Sequence, residues 1–561
     1  MFCYQCGCPV DTGDRYCPQC GTQLKEVRQE PQAAFAGNKY FNIDAPLAQP
    51  KNIVKGYILT HVKALADHLN VKYNDIIDIL GEFITARSKA GVGYGIIDMS
   101  RHISNPKNTQ WPVFHRILTN YYLKDWNNGT TPEYLFIIGG CDIIPMPAIP
   151  MSLFTHEKDI DSDLPYEYLY EDKIEEAILS LRIFKKNAVL KCGRLPLASD
   201  TTFEDFIRML SNILLTGQKG LLNMNLHVQC DPHWKEITTL VADGLQEYMP
   251  RRTEKNDFFH GPVMLTPLLE AGTEEFDANF PYRQASIFYY NLHGTNEPGV
   301  DAFVGYELGN LCRHTALYPQ NMKVITQPNI VITEACFGGW FKRSGNQAES
   351  KKKSETILLS AMHAATVCYV GSSRVAYGGS DPCIRISSAD ALAQVFLRSM
   401  YRGNPAGVAL RHAKMAVLNN DPFDLHNLIT VVEFNLFGDP TLSAITYSGE
   451  YNHKSYESVF LNADAPVVSE YKVEYDSKLS NGILNTVRNL VNWNLQEINN
   501  LITNHLYSQY GVKPRQLNRV ISSKSSDGTS QYTYFYAADN GEWMVGMDKQ
   551  SKRILYTVCS K

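Results

Sequence analysis

No stretch of the 561-residue chain approaches the roughly twenty consecutive apolar residues needed to cross a bilayer. The first residues, MFCYQCGCPV, lack the basic start and apolar run of a secretory signal, so a cytoplasmic protein is expected. No sign of charge dominates. The formal net charge is −5 and the pI about 6.3, which gives no overall pull toward nucleic acid. Internal repeats and long low-complexity tracts are missing as well, which excludes solenoids and extended disordered tails. What remains is the composition of a globular protein, 44% hydrophobic and 20% charged, and too long for one core.

Thirteen cysteines are present, and five fall in the first twenty residues. Cys3 and Cys6 lie in CYQCG and Cys17 and Cys20 in CPQCG, two matched Cys-x-x-Cys-Gly knuckles around a short turn. Four thiolates on two tight turns suit tetrahedral Zn2+, and so small a segment would take much of its folding energy from the metal. Cys8 is either a substitute ligand or a bystander. The other cysteines sit mostly in apolar runs such as HAATVCYVG, as reduced buried thiols do.

Residues 1–24 are thus expected to form a zinc ribbon and the proline-containing stretch 25–50 a linker. Strand-like and helix-like patterns then alternate, which predicts an α/β fold with a mostly parallel sheet covered on both faces. Helices are expected at DIIDILGEFITARSKAG, PVFHRILTNYYLKDW, TTFEDFIRMLSNILL and SADALAQVFLRSMYRG, and strands at YGIIDM, YLFIIGG, NAVLKCGRLPL and TVCYVGSS. From about 448 to 561 a long amphipathic helix and two or three antiparallel strands predict a small α+β accessory domain.

Two further strand-like runs end on chemistry. SIFYYNLHG carries His293 and Gly294, and NIVITEACFGG carries Cys336 and two glycines. In a parallel sheet the carboxyl ends of strands form the ligand edge. A thiol and an imidazole there can form a nucleophile–base pair, with the backbone N–H groups of Gly294 and Cys336 as oxyanion donors. This constellation predicts a cysteine peptidase. By strand alternation Glu334 shares a face with Cys336, so it either polarises the site or is structural.

The His-Gly and Ala-Cys-x-Gly contexts resemble caspase-like peptidases, and the wider pattern resembles the gingipain family. PEYLFIIGGCDIIP (132–145), SDLPYEY (162–168), CGRLPLAS (192–199), SETILLSAMHAATVCYVGSSR (354–374) and FNLFGDPTL (434–442) follow that family's order, although Cys141 interrupts its usual Gly-Asp pair. The resemblance implies a caspase-type three-layer α/β/α sandwich, with a non-catalytic half (51–220), a catalytic half (221–447) and a Cys336–His293 dyad. It also implies that Asp163 grips a basic P1 side chain, unless it is only part of a solvated acidic loop. Ser372 and Ser373 are expected along the substrate channel. The polar stretch after the nucleophile, with Lys351, Lys352 and Lys353, reads as flexible, and is either a self-cleavage site or a solvated insertion.

The expected function is intracellular endopeptidase activity on protein or peptide substrates. An activating or recruiting partner is expected at the zinc ribbon or the C-terminal domain; neither membrane nor nucleic acid is an expected partner. Two alternatives stay open: a catalytically silent binding scaffold, and a peptide ligase.

Overall fold

The computed structural model describes residues 39–41, 54–150, 159–169, 190–246, 263–266, 268–279, 285–295, 301–308, 312–343, 346–378, 386–420, 425–444, 495–514, 516–524, 530–538, 541–548 and 554–560. The zinc knuckles at Cys3, Cys6, Cys17 and Cys20 lie outside these residues.

Among the described residues one large sheet organises the chain. In chain order its strands are β1 (Val54–Thr60), β2 (Val92–Asp98), β3 (Tyr134–Ile138), β4 (Lys191–Leu195), β5 (Leu226–Cys230), β6 (Val263–Thr266), β7 (Ile287–Asn291), β8 (Asn329–Thr333), β9 (Thr366–Ser372) and β10 (Phe434–Gly438). Their spatial order is β2-β1-β3-β4-β10-β9-β8-β7-β5-β6. Every pairing is parallel except β9 with β10. The mostly parallel α/β sheet expected from the alternating pattern is therefore present. It consists of two parallel blocks joined back to back, and β10, late in the chain, returns to lie beside β4.

Side-chain alternation along β7–β9 supplies both faces. Phe288, Tyr290, Val331, Val367 and Tyr369 enter one core with helices Phe203–Lys219 and Ile357–Ala364. Ile287, Tyr289, Ile330, Ile332, Cys368 and Val370 enter another with helices Lys235–Gln246 and Ser388–Tyr401. Burial of each such large apolar side chain contributes roughly 1.5–3 kcal/mol, and a strand buried on both faces has no polar side to present. Helix Phe203–Lys219 begins with a capping box from Thr202 and Asp205, which satisfies two otherwise orphaned N–H groups.

Part of the expected linker is docked. The backbone N–H groups of Lys39, Tyr40 and Phe41 donate to the Glu82 carboxylate at 2.6, 2.8 and 3.2 Å. At the other end, helix Leu495–Tyr510 is followed by an antiparallel meander of four strands, Gln516–Lys524, Ser530–Ala538, Gly541–Asp548 and Ile554–Ser560. Ile502 and Leu506 of the helix share a core with Tyr534, Tyr536, Trp543, Val545 and Met547. No helix of the described residues is long and apolar enough to cross a membrane.

Candidate active site

Strands β7 and β8 are parallel neighbours, with Thr333 beside Tyr290, so the chain segments that follow them leave the sheet at the same edge. His293 stands two residues beyond β7 and opens a hairpin in which His293–Thr295 pairs with Ala302–Tyr306. Cys336 stands three residues beyond β8 in a tight turn. That turn is tied to the end of β9, since Phe337 N–H donates to the Arg374 carbonyl at 2.8 Å and Gly339 N–H to that of Ser372 at 2.7 Å. Phe337, directly after the thiol, has φ of +59°, a conformation that strains a bulky residue.

The two segments touch through their backbones. A Cβ built on Gly294 would collide with the Cys336 carbonyl and crowd its amide nitrogen, so only glycine permits this approach. The sequence thus brings Gly294, His293 and Cys336 to one place, as expected from the strand ends.

His293 is held from several sides. The Trp234 ring lies 4.2 Å away between centroids, and the Tyr306 ring meets it edge-on at 5.2 Å. Behind it, Asp231 Oδ2 stands 3.6 Å from His293 Nε2. Asp231 is fully buried at the end of β5 and is itself fixed: Oδ2 accepts Tyr306 N–H at 2.7 Å, and Oδ1 accepts His233 N–H at 2.8 Å. The 3.6 Å gap is longer than a hydrogen bond, as catalytic contacts often are before substrate binds. Burial lowers the His293 pKa, Asp231 opposes that shift, and His233 adds to it. Sequence reasoning missed Asp231. Its strand, LHVQC, carries His227 and Gln229 among apolar residues and so does not stand out as an apolar run, although an acid just past a strand end was the available signal.

Burial raises the Cys336 thiol pKa, and the nearby Glu433 carboxylate pushes it the same way. The backbone of Ala376 and the N–H groups of Gly294 and of Cys336 itself act against that rise by favouring the thiolate. The thiol donates a long contact of 4.0 Å to the Ala376 carbonyl. With His293 shifted down and Cys336 shifted up, the resting pair is neutral.

Other expected residues sit differently. Strand β8 ends at Thr333, so its alternation carries through to neither Cys336 nor Glu334. Glu334 is buried against Tyr289, whose hydroxyl donates to it, and beside Asp390 of helix Ser388–Tyr401; burial, then Asp390, raise its pKa well above the carboxylate range. Glu334 is thereby a buried structural acid. Asp163 is also corrected. Its carboxylate takes a bidentate pair from Arg194, Nε to Oδ2 at 2.7 Å and Nη2 to Oδ1 at 2.6 Å, and Arg194 is fully buried. Arg194 further donates to the carbonyls of Gly139 and Ile144 at 3.2 and 2.8 Å. The segments GGCD, SDLPY and CGRL therefore converge on an internal ion pair, and Asp163 has no carboxylate edge left for a P1 side chain.

Ser372 and Ser373 are buried at the end of β9. The Ser372 hydroxyl closes its own turn, donating to the Arg374 carbonyl at 2.8 Å and accepting Arg374 N–H at 3.1 Å. Ser373 N–H donates to the Glu433 carbonyl at 3.1 Å, and its buried hydroxyl makes no hydrogen bond among the described residues. The segment read as flexible is pinned. Lys351 N–H donates to the Phe341 carbonyl at 2.8 Å, its carbonyl accepts Ser199 N–H at 3.0 Å, and its ammonium pairs with Asp301 at 2.9 Å. Lys352 N–H is bound by Glu355, and Lys353 N–H donates to Asp200 at 2.9 Å. A protease needs an extended, released strand, and Lys351–Lys353 does not offer one.

A model of peptidase family C25 matches residues 63–445. Similar solved structures include the Arg-specific cysteine proteinase gingipain R (RGPB), at 13% identity and a TM-score of 0.46, with 72% of this chain and 81% of that chain covered. A structure described only as a protease is similar at 13% identity and a TM-score of 0.45, covering 70% of this chain and 78% of that one. The Saccharomyces cerevisiae separase–securin complex is similar at 12% identity and a TM-score of 0.32, over 60% of this chain and 17% of that one. No curated protein matches the chain. The family match spans both blocks of the sheet, including the His293 and Cys336 segments, and the chain belongs to peptidase family C25, the gingipain family of cysteine peptidases.

Proposed function

We propose that the chain is a cysteine endopeptidase with Cys336 as nucleophile, His293 as proton carrier and Asp231 as the residue that positions His293. The observation that carries this reading is the seating of the Gly294 backbone on that of Cys336, at the ends of adjacent strands, beside a histidine backed by a buried carboxylate. As substrate binds, the Cys336 proton passes to His293 and Sγ bonds to the peptide carbonyl carbon. The oxyanion is held by the N–H groups of Gly294 and Cys336, two donors that also favour negative charge at the sulfur. Collapse breaks the C–N bond, and the leaving amine takes the proton from His293. Water, deprotonated by the same imidazole, then hydrolyses the thioester.

Basic P1 preference stays part of the proposal on altered grounds. With Asp163 committed to Arg194, the acid close to the thiol is Glu433, buried at the end of helix Leu425–Glu433. A carboxylate beside the reacting centre favours a guanidinium or ammonium side chain there. Structural Zn2+ at Cys3, Cys6, Cys17 and Cys20, partner recruitment by the two end segments and a cytoplasmic location are carried forward as proposals too.

Mass spectrometry of a diverse peptide library, incubated with wild-type and Cys336→Ala protein, tests the reading. Cleavage by wild type alone, with Arg or Lys at P1, is the expected result. Joined peptides would assign a ligase. Cleavage by both proteins would remove Cys336 from the chemistry.

A further inference from the structure

Beyond Tyr306, the hairpin that borders His293 ends in a second cluster that the peptidase chemistry does not use. Strand Arg313–Leu317 pairs with Ala302–Tyr306, placing His314 opposite Gly305. The connection is closed where Glu307 N–H donates to the Cys312 carbonyl at 3.0 Å. One ligand atom each from Glu307, Cys312 and His314 then lie within 4.8 Å of one another. His314 Nε2 is 2.7 Å from Glu307 Oε1, and its Nδ1 is 3.3 Å from Glu270 Oε2. One imidazole therefore has a carboxylate on each nitrogen, with a thiol alongside. Cys312 carries no disulfide.

We infer that Glu307, Cys312 and His314 form a binding site for a divalent transition metal of the zinc class. Sulfur, nitrogen and oxygen donors together match the borderline-soft preference of Zn2+, whereas Mg2+ and Ca2+ call for oxygen alone. Three protein ligands leave the fourth tetrahedral position to water. A small inward movement suffices, since ligand atoms around tetrahedral zinc stand about 3–4 Å apart, given bonds of 2.0–2.3 Å. Binding exchanges the Glu307–His314 hydrogen bond for two metal bonds and releases two protons to solvent, one from the Cys312 thiol and one from His314 Nε2, while Nδ1 keeps its proton toward Glu270. Glu270 then serves as the outer carboxylate that fixes the imidazole tautomer, the usual companion of a metal-bound histidine.

The site has a structural consequence. Glu307 follows Tyr306, whose ring packs on His293 and whose N–H holds Asp231. Metal across the hairpin braces the end of the strand that shapes the histidine pocket. Its three ligands are other residues than the knuckle cysteines Cys3, Cys6, Cys17 and Cys20, so Zn2+ proposed for the knuckles is common to parent and derivatives and cancels in the comparison.

Metal counting on the full chain tests the inference directly. A Cys336→Ala parent removes the proposed nucleophile as a competing thiol ligand, and Cys312→Ser and His314→Ala are each added to it. After dialysis against buffered Zn2+, the parent is expected to hold one more ion per chain than either derivative. With Co2+, the parent-minus-Cys312→Ser difference spectrum is expected to show a thiolate-to-cobalt charge-transfer band. Cys312 is exposed, and equal unfolding midpoints for metal-free parent and derivative establish that the fold is kept. A third variant, Glu270→Gln, removes no ligand and is expected to weaken Zn2+ binding by about 10- to 100-fold. Equal metal counts in parent and derivatives, with no cobalt difference band, would overturn the site.

Discussion

Burial lifts the Cys336 thiol above its ordinary range and lowers the His293 imidazole below 6.5, so neither group is charged at rest near neutral pH. In the proposed mechanism the thiolate forms only once substrate is bound, and His293 must be neutral to take the proton. The acid limb of kcat/KM is therefore expected below pH 6.5, in a pH–rate profile with a peptide substrate. Asp231 favours the imidazolium and so raises the His293 pKa. Asp231→Asn is expected to shift that limb to lower pH, while kcat falls on the order of 10²-fold as the ring loses its positioning partner. Gly294→Ala places a methyl group on the Cys336 carbonyl; a loss on the order of 10²- to 10³-fold in kcat is expected from the displaced oxyanion donors. His293, Gly294 and Cys336 were legible because an apolar run that stops at a reactive side chain and glycine signals a strand end. Asp231 was not, since its carboxylate reaches His293 only through the pairing of β5 with β7, which the sequence does not display.

Strands and helices with continuous apolar runs or clear 3.6-residue periodicity were readable, among them β3, β9 and helix Tyr73–Lys89. Strands with buried polar residues were harder: β5 buries His227 and Gln229 among its apolar residues. Glu334 shows a different failure, because a strand's alternation stops where its hydrogen bonding stops. The motif shared by β3, β4 and the Asp159–Asp161 strand's exit was legible as a pattern, but its physical role was not. Breaking one member of the buried Arg194–Asp163 pair leaves an uncompensated interior charge. Arg194→Met is expected to cost about 3–5 kcal/mol in chemical denaturation. On the same grounds Asp163→Asn is expected to lower stability, whereas Glu433→Gln is expected to change the Arg/Lys preference measured with matched substrates.

The whole sheet explains why distant segments act together. Two parallel blocks meet antiparallel at β9 and β10, and Asn435, near the start of β10, ties that seam to the Asp161–Asp163 segment by accepting Asp163 N–H at 2.9 Å and donating to the Asp161 carbonyl at 3.2 Å. At the far end of β10, Asp439 accepts the Tyr94 hydroxyl at 2.6 Å and pairs with Arg87 at 3.1 Å, which ties the closing Gly-Asp-Pro segment to the first block. The α/β class and the alternation of elements were evident in the sequence. The return of β10 to the centre was not, because strand order depends on tertiary pairing. Lys351 bridges these regions, with its carbonyl on Ser199 and its ammonium on Asp301. Active protein incubated for long periods is accordingly expected to remain uncut at Lys351–Lys353 by intact-mass analysis, and a cut there would show that the segment opens.

The measurement that bears most directly on the whole account is covalent capture of the nucleophile. A peptidyl acyloxymethyl ketone with arginine at P1, incubated with the full chain, reports which thiol attacks a substrate-shaped electrophile. One adduct per chain, mapped to Cys336 and abolished in His293→Ala, is the result expected. An adduct on another cysteine, or none on Cys336 while the library is still cleaved, would contradict it.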